Sequence, residues 1–296
     1  MADSSCTSIL GDSIELSSHT NQKFAFALVT LATLIVVVPI IFVAVYIVWQ
    51  GIGGISWTFI TTMPSNGMRA GGILPAIIGT VVLTFGTAIA AIPLGIGAAI
   101  YLAEYAKDNA LTRGIRLAII NLAGIPSVVY GLFGLGLFVL FLGMGTSILA
   151  GSLTLGLLTL PVVISTAEEA ILAVPQSFRV VSVSLGGTKW QTIRYQVLPN
   201  AMPGIITGVI LGLERAAGET APILFTVAAF YLPQLPNSIF DQTMALPYHL
   251  YVITTQVPGM PIAIQYSTAL VLLVIVLSMN IAATLIRRHF RRKRLW

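Results

Sequence analysis

Charged residues are scarce in this 296-residue chain: Asp, Glu, Lys and Arg make up only 8% of it, against about 25% in a soluble domain. Hydrophobic residues account for 56%, and the mean hydropathy is +0.94. This composition excludes a soluble globular protein and predicts an integral membrane protein. The single cysteine, Cys6, lies in a polar N-terminal stretch without a partner in the chain, which excludes disulfides and cysteine-based metal sites.

Long polar stretches are also absent, so the sequence predicts neither an extramembrane binding domain nor a nucleotide-binding domain. No G-x-x-x-x-G-K-[ST] loop occurs, and GGTKW at 186–190 has the wrong order and no preceding strand. The three histidines are scattered, and no nucleophile with a base or metal set stands out. We therefore predict no catalytic residue and no metal site, and any ATP chemistry would have to come from another chain.

Six apolar segments are long enough for a helix that crosses a bilayer, which needs about 20 residues. They are 24–49, 73–102, 117–142, 146–166, 203–232 and 264–286. The sequence thus predicts an all-α membrane protein with six transmembrane helices.

The connecting segments differ from these spans in composition. Residues 1–22 are polar and Ser-rich, and we expect them to form a disordered tail. The loops at 50–72 and 233–263 carry Gly, Pro, Trp and Tyr, which predicts short interfacial turns. We expect His249 and Asp241, in the second loop, to be solvated.

Basic residues are distributed unevenly between the two sides that the spans define. If both termini lie on one side, all lysines and arginines fall on that side except Arg69 and Arg215. Cytoplasmic loops of membrane proteins carry an excess of Lys and Arg. We therefore expect both termini to be cytoplasmic, with 287–296 (RRHFRRKRLW) as a basic cytoplasmic tail.

The loop between the fourth and fifth spans, residues 167–200, has helical periodicity. Phe178, Val181 and Leu185 recur at helical spacing, which predicts a short amphipathic helix. Thr188 begins a capping-box pattern for a second helix. The loop is thus predicted to be a folded helical hairpin, and from this pattern alone it could equally lie on the lipid surface.

The stretch LERAAGETAP, residues 213–222, places three charged side chains inside the fifth span. If this helix starts near Pro203, Arg215 lies about 18 Å along it, near the middle of the membrane. A charge that faced lipid there would cost roughly 2.5–3.5 kcal/mol. The charges must therefore face protein or water.

A seam of small residues runs beside these charges and predicts close approach of a neighbouring helix. It consists of Gly204, Gly208, Gly212 and Ala216. Arg215 and Glu219, four residues apart, can touch. They form either a structural ion pair or an anion site in which Glu219 orients the guanidinium. Glu214 lies on another side of the helix, and its role stays open.

The third span contains a second set of polar groups. Pro126 interrupts its helix, and Ser127 and Tyr130 offer hydroxyls nearby. They form either a packing kink with satisfied hydroxyls or part of the same path as the charged residues.

The hairpin resembles the EAA loop of importer-type ABC permeases in its sequence Glu169-Ala170, Gly186 and Leu198-Pro199. The resemblance implies that the loop docks on an ATPase subunit. The residues that it assigns to this coupling loop are Glu168, Glu169, Ala170, Phe178, Arg179, Gly186, Leu198 and Pro199. One departure is Val180, where relatives commonly carry an acidic residue, which puts one charge contact to the ATPase in doubt.

Two further stretches, AGIPSVVYGLFGLG (123–136) and ERAAGETAP (214–222), are similar to the phosphate-specific transporter permeases of the PstA type. The likeness covers 73–286 and implies a five-helix permease core, to which the helix at 23–50 is an addition. It implies a PstC-type permease, a PstB-type ATPase dimer that binds ATP and Mg, and a PstS-type phosphate-binding protein as partners. The substrate path would be lined by Arg215, Glu219, Glu214, Ser127 and Tyr130.

The resemblance implies a bacterial inner-membrane permease subunit for phosphate that is not itself an enzyme. An alternative is the same machine with another oxyanion, such as phosphonate, sulfate or molybdate. A different class, a proton-coupled secondary transporter, would use Glu214 or Glu219 as its proton carrier. The local charge of one Arg and two Glu does not suit an anion, so we expect a protonated glutamate or, preferably, an additional Arg from the second permease.

Overall fold

The computed structural model describes the backbone of residues 5–291 and the side-chain surroundings of residues 22–288. Nearly all regular structure in this part of the chain is helical. The α-helices are α1 (Ser5–Gly51), α2 (Trp57–Thr61), α3 (Leu74–Ile100), α4 (Ala110–Ala123), α5 (Ser127–Gly134), α6 (Ile148–Leu172), α7 (Gln176–Ser184), α8 (Lys189–Thr192), α9 (Leu198–Gly218), α10 (Ala221–Thr226), α11 (Leu246–Thr255) and α12 (Ile262–Arg291).

Shorter elements connect these helices. Three π-helical segments continue α3, α5 and α8: Tyr101–Tyr105, Leu135–Phe141 and Ile193–Val197. A 3₁₀ turn, Ile52–Gly54, follows α1. A small antiparallel pair of strands, β1 (Pro64–Ser65) and β2 (Ala70–Gly71), precedes α3.

Five continuous helical stretches are long and apolar enough to cross a membrane, and α4 with α5 forms a sixth if the bent pair is one span. The pair bends by 103° at Pro126, because proline lacks the amide donor that a continuous helix needs. The predicted all-α membrane fold is thus confirmed. The third span, predicted as 117–142, is a sharply broken helix.

The N-terminal tail differs from the expectation of disorder over residues 1–22. The structure continues α1 back to Ser5, and residues 1–4 lie outside the described part. The local reason is that residues 5–22 contain no proline and one glycine, so no strong breaker stops the helix. At the other terminus α12 runs to Arg291, into the predicted basic tail, and residues 292–296 lie outside the described part.

Helix α6 lies at the centre of the bundle, between α3 and α9. Small residues permit both contacts: a Cβ on Gly95 of α3 would meet Val163 of α6 at 2.6 Å, and one on Gly204 of α9 would meet Ala170 at 2.5 Å. Helix α1 packs mainly against α12, and its apolar faces are exposed from Phe24 onward. The core therefore consists of the later helices, with α1 as an addition.

The predicted interfacial turns at 50–72 and 233–263 are folded and partly buried, which corrects the expectation of simple turns. They contain α2, the β1–β2 pair and α11, and they contribute to the largest hydrophobic cluster. Leu246 and Ile253 of α11 have no exposed surface. Leu246 also donates its backbone N–H to Thr80 Oγ1 of α3 at 2.8 Å. The apolar stretch of α11 is too short to span a membrane, and packing against other helices buries it instead.

We expected His249 and Asp241 to be solvated, but His249 is buried and Asp241 is only partly exposed. His249 is 3% exposed on α11, and its Nδ1 is buried without a hydrogen-bond partner. Burial in apolar surroundings lowers the pKa of His249 to about 4. Asp241 is half-buried, and its Oδ2 accepts two backbone N–H bonds, from Asn237 and Ser238, each at 2.8 Å. Both residues thus belong to the folded part of this loop.

Candidate ion path and coupling hairpin

The charged cluster lies where the fifth span breaks. Helix α9 ends at Gly218, Glu219 has an extended backbone, and α10 begins at Ala221 with Pro222 in its first turn. The predicted continuous span over 203–232 is therefore wrong. Gly218 weakens the end of α9, and Pro222 has no N–H to donate to the carbonyl of Gly218, four residues earlier, so a continuous helix is interrupted between them.

Arg215 and Glu219 form the predicted ion pair across this break. Arg215 Nε lies 3.3 Å from Glu219 Oε1, with 38% of the arginine side chain and 17% of the glutamate side chain exposed. Arg215 sits in the last turn of α9, where its charge also offsets the partial negative charge of the terminal carbonyls. It is thus near a helix end, and not in the middle of an uninterrupted helix as the sequence predicted.

The small-residue seam faces α6 as expected. A Cβ added to Gly208 would overlap Thr166 of α6, and one on Gly212 would meet Val163 at 3.2 Å. Ala216, the last member of the seam, is buried. Close packing on α6 therefore fixes the rotation of α9 and the direction of Arg215.

Glu214 is not a member of this ion pair. Its Oε1 is buried and has no hydrogen-bond partner among the described residues. Burial of a carboxylate oxygen without a hydrogen-bond donor costs free energy. Either protonation of Glu214 or a donor from another chain would remove this cost. The structure does not bring Glu214 together with Arg215 and Glu219 in one ion pair network.

Tyr130 and Ser127 come from the other broken span and reach the same region. The Tyr130 hydroxyl donates to the Leu122 carbonyl at 2.9 Å, across the bend between α4 and α5. The Tyr130 phenol also lies within electrostatic range of the Arg215 guanidinium. Helices α5 and α10 pack closely, since a Cβ on Gly131 would lie 3.0 Å from Pro222. Ser127 begins α5 beside them.

The helical hairpin predicted over 167–200 is formed by residues 173–197, since 167–172 belong to α6 and 198–200 to α9. Pro175 precedes α7, and Gly186 has a φ of +82°, a left-handed conformation that favours glycine at the turn. Thr188 and Gln191 make both hydrogen bonds of the capping box at the start of α8. The Ser182 and Thr192 hydroxyls, 2.8 Å apart, join α7 to α8.

The apolar face of α7 divides into an anchored part and an exposed part. Phe178 packs against the buried cluster that Ile171, Val174 and Val197 help to form. Leu185 is 84% exposed, and Val181 is also exposed. An exposed apolar patch of this kind is typical of a protein contact surface.

The remaining residues assigned to the coupling loop lie at the hairpin's base. Glu168 pairs with Arg116 of α4 at 2.8 Å, whereas Glu169 is exposed. Ala170 contacts the seam of α9, as described above, and Leu198 is half-buried against the same apolar cluster. Pro199 lies in the first turn of α9.

Arg179 is turned into the protein and binds Glu104, a residue that the sequence analysis missed. The second apolar span was predicted over 73–102, and the π-helical segment extends it to Tyr105. Glu104 is the only acidic residue in this stretch, and this isolated charge is the sequence signal that could have identified it. Within residues 22–288, no group of three or more His, Cys, Asp or Glu is placed to hold a metal ion.

Broken membrane helices around a charged pair, with a folded hairpin at one end of the bundle, define a multi-spanning transport subunit. The chain belongs to the family of binding-protein-dependent transport system inner membrane components, whose model matches residues 91–294.

Two relatives and one solved structure illustrate this membership. The chain is 35% identical over 282 residues to a probable ABC transporter permease, YqgI, of Bacillus subtilis, covering 90% of this chain and 95% of the relative. It is 38% identical over 226 residues to the phosphate transport system permease protein PstA 1 of Mycobacterium tuberculosis, covering 76% and 72%. A bacterial ABC transporter involved in alginate import has the same fold, with a TM-score of 0.65, 13% identity, and coverage of 94% and 99%.

Proposed function

We propose that this chain is a permease subunit of an ATP-driven importer for inorganic phosphate, without catalytic residues of its own. The observation that carries the proposal is the partly exposed Arg215 at the break between α9 and α10, paired with Glu219. Similarity to PstA 1 supports phosphate as the substrate.

Arginine suits this role because its planar guanidinium can donate two hydrogen bonds to phosphate oxygens and keeps its charge. Glu219 occupies only the Nε side of the guanidinium, at 3.3 Å. In this arrangement Glu219 orients Arg215, and the remaining donors bind the passing ion. A path must also release its ion, so the contact should be weak, with tight capture left to a separate binding protein.

A second permease completes the path in this proposal. The exposed Arg215 side chain cannot face lipid at low cost, so water or another chain must cover it. Helices α4, α5 and α6 also border an open, almost entirely apolar cavity of about 440 Å³ that Tyr130, Phe133 and Pro161 help to line. A PstC-type subunit on this face would supply the additional positive charge that one Arg and two Glu require.

The hairpin would couple this path to a PstB-type ATPase dimer, which binds ATP and Mg. Its exposed Val181 and Leu185 offer an apolar docking surface, and the capped helices can transmit a rigid-body movement. Hydrolysis would rock the spans between inward-facing and outward-facing states while a PstS-type protein delivers phosphate. The chain would lie in the bacterial inner membrane with both termini and the hairpin in the cytoplasm.

A proton-coupled secondary transporter is the second candidate, and the unpartnered Oε1 of Glu214 favours it. That mechanism predicts phosphate uptake by this chain alone, sensitive to protonophores and independent of ATP. Another oxyanion as substrate is tested by competition, with phosphonate, sulfate or molybdate present during phosphate uptake into proteoliposomes.

The direct test of the ion path is Arg215→Gln in the complete complex. A partly exposed ion pair contributes only about 0–1 kcal/mol to stability, so the complex should still assemble. Phosphate uptake into proteoliposomes should fall to background, because glutamine lacks the charge and the paired donors.

Arg113→Gln is the matched control, since Arg113 is 68% exposed on α4 and pairs loosely with Asp108 at 3.6 Å. This variant should take up phosphate like the parent. Normal uptake by Arg215→Gln would exclude Arg215 from the path.

A further inference from the structure

The Arg179 guanidinium joins the first helix of the hairpin to two other elements. Its Nη2 and Nε donate to Glu104 Oε1 at 2.7 and 3.0 Å. Its Nη1 donates to the Val174 carbonyl at 2.7 Å, and Nη2 also donates to the Ile171 carbonyl at 3.0 Å. One side chain therefore ties α7 to the end of α6 and to the π-helical segment after α3.

This ion pair is the least exposed of those formed by the described residues. Only 14% of the Arg179 side chain and 8% of the Glu104 side chain are exposed, compared with 38% and 17% for Arg215 and Glu219. Charges removed from water interact more strongly, and removal of one partner leaves the other uncompensated. The contact is therefore persistent, and it is not available to a subunit that docks from outside.

The second arm of the hairpin rests on the same π-helical segment. Lys189 Nζ of α8 lies 4.7 Å from the centre of the Tyr105 ring, next to Glu104 in the chain. Segments of π-helix often occur at functional sites. Both arms of the hairpin thus contact the segment Tyr101–Tyr105, which follows α3 without a break.

We propose that Arg179 and Glu104 are positioning residues for energy coupling: their contact passes movement of the hairpin to α3 and α6. The sequence resemblance placed Arg179 in the loop that couples to the ATPase, and the structure turns its side chain into the protein. The inference rests on the proposed coupling of this chain to a separate ATPase. It assigns the hairpin two layers, an exposed apolar face for docking and a buried charged contact for transmission.

Arginine is required for this contact because four hydrogen bonds to three acceptor groups use its planar, forked geometry. A lysine at 179 would keep the positive charge and could reach Glu104, but it could not satisfy both carbonyls at once. The hairpin would then stay attached with a less fixed orientation.

The test compares Arg179→Lys and Glu104→Gln in the complete complex of two permeases, ATPase and binding protein, reconstituted in proteoliposomes. Arg113→Lys, at an exposed arginine on the same end of the bundle, is the matched control. Three quantities are measured: the amount of ATPase retained, the rate of ATP hydrolysis, and the phosphate transported per ATP. We expect the two variants to retain the ATPase and hydrolyse ATP, with a several-fold fall in phosphate transported per ATP and no change in the control.

A parental ratio of phosphate to ATP in Arg179→Lys and Glu104→Gln would overturn the proposal. Loss of the ATPase from both variants would also overturn it, since the pair would then serve only to fold the hairpin. If the parent complex binds no ATPase, the proposed function itself fails, and that outcome is separate from the other two.

Discussion

At the scale of single residues, Gly79 shows how closely the elements of this protein approach one another. A Cβ at Gly79 of α3 would overlap the carbonyl oxygen of Met244, just before α11. Thr80, the next residue, accepts the Leu246 amide. Glycine is unfavourable inside a helix, so its presence here reflects the need for close contact with a backbone that cannot move aside.

Gly79→Ala is therefore expected to lower the free energy of unfolding by roughly 1–3 kcal/mol, because the new methyl group overpacks the contact. Thermal unfolding of the detergent-solubilised protein would measure this change.

Gly97→Ala on the same helix is the control, since a Cβ there meets no atom within 4 Å. We expect this variant to be neutral or stabilised by up to about 1 kcal/mol through helix propensity. Equal stability of the two variants would contradict the close approach at Gly79.

At the scale of elements, α11 shows where reasoning from the sequence fails. Its ten residues, Leu246–Thr255, are too few to span a membrane and follow a Pro-rich loop, so the sequence predicts a turn. Their burial comes from α12, which follows in the chain, and from α3, which is about 150 residues away in the chain. A tertiary contact of this kind leaves no mark in local periodicity.

His249 on α11 predicts a loss of stability at low pH. Its pKa in the folded protein is lowered to about 4, so the folded state binds fewer protons than the unfolded state between pH 6.5 and 4. Stability should accordingly decrease as the pH falls through this window, by at most roughly 3 kcal/mol from this residue.

The measurement is the difference in thermal stability between the parent and His249→Leu as a function of pH. Leucine removes the titration, so the variant should gain stability relative to the parent as the pH falls from 6.5 to 4. A difference that stays constant over this range would show that His249 is not buried in its neutral form.

The elements with strong local signals were predicted well. Thr188 and Gln191 do form the capping box, and Pro126 does break the third span. The break after Gly218 was also marked in the sequence, by that glycine and Pro222, but hydropathy alone favoured one long span. The Arg179–Glu104 contact could not be predicted, because 75 residues separate its partners.

At the scale of the whole molecule, the charged pair and the hairpin lie at the two ends of one helical rod. The stretch Lys189–Gly218 runs without a helical break from the hairpin to Arg215. It packs along α6, which in turn packs on α3. Movement at the hairpin can therefore reach Arg215, in the proposed ion path, through helical elements without a flexible link.

Orientation of the whole chain in the membrane gives a labelling prediction. In a Cys6→Ser background, Ser65→Cys on β1 should react with a membrane-impermeant maleimide in intact cells. Ser184→Cys, at the end of α7, should react only after permeabilisation, because the basic loops are expected to be cytoplasmic. Both serines are exposed, so the pair is matched in accessibility.

Labelling of Ser184→Cys in intact cells, with Ser65→Cys protected, would place the hairpin outside the cell. That result would contradict the proposed coupling to a cytoplasmic ATPase.

The π-helical segment Ile193–Val197 has a geometric consequence for this rod. A π turn accommodates one residue more than the α-helix on either side of it. Loss of one residue there would let the rod continue as a regular α-helix with nearly the same relative rotation of its two ends, whereas loss of a residue from the α-helical part would turn everything beyond it by about 100° around the axis. The segment thus marks the point in the rod at which one residue can be lost with the hairpin and Arg215 still in phase.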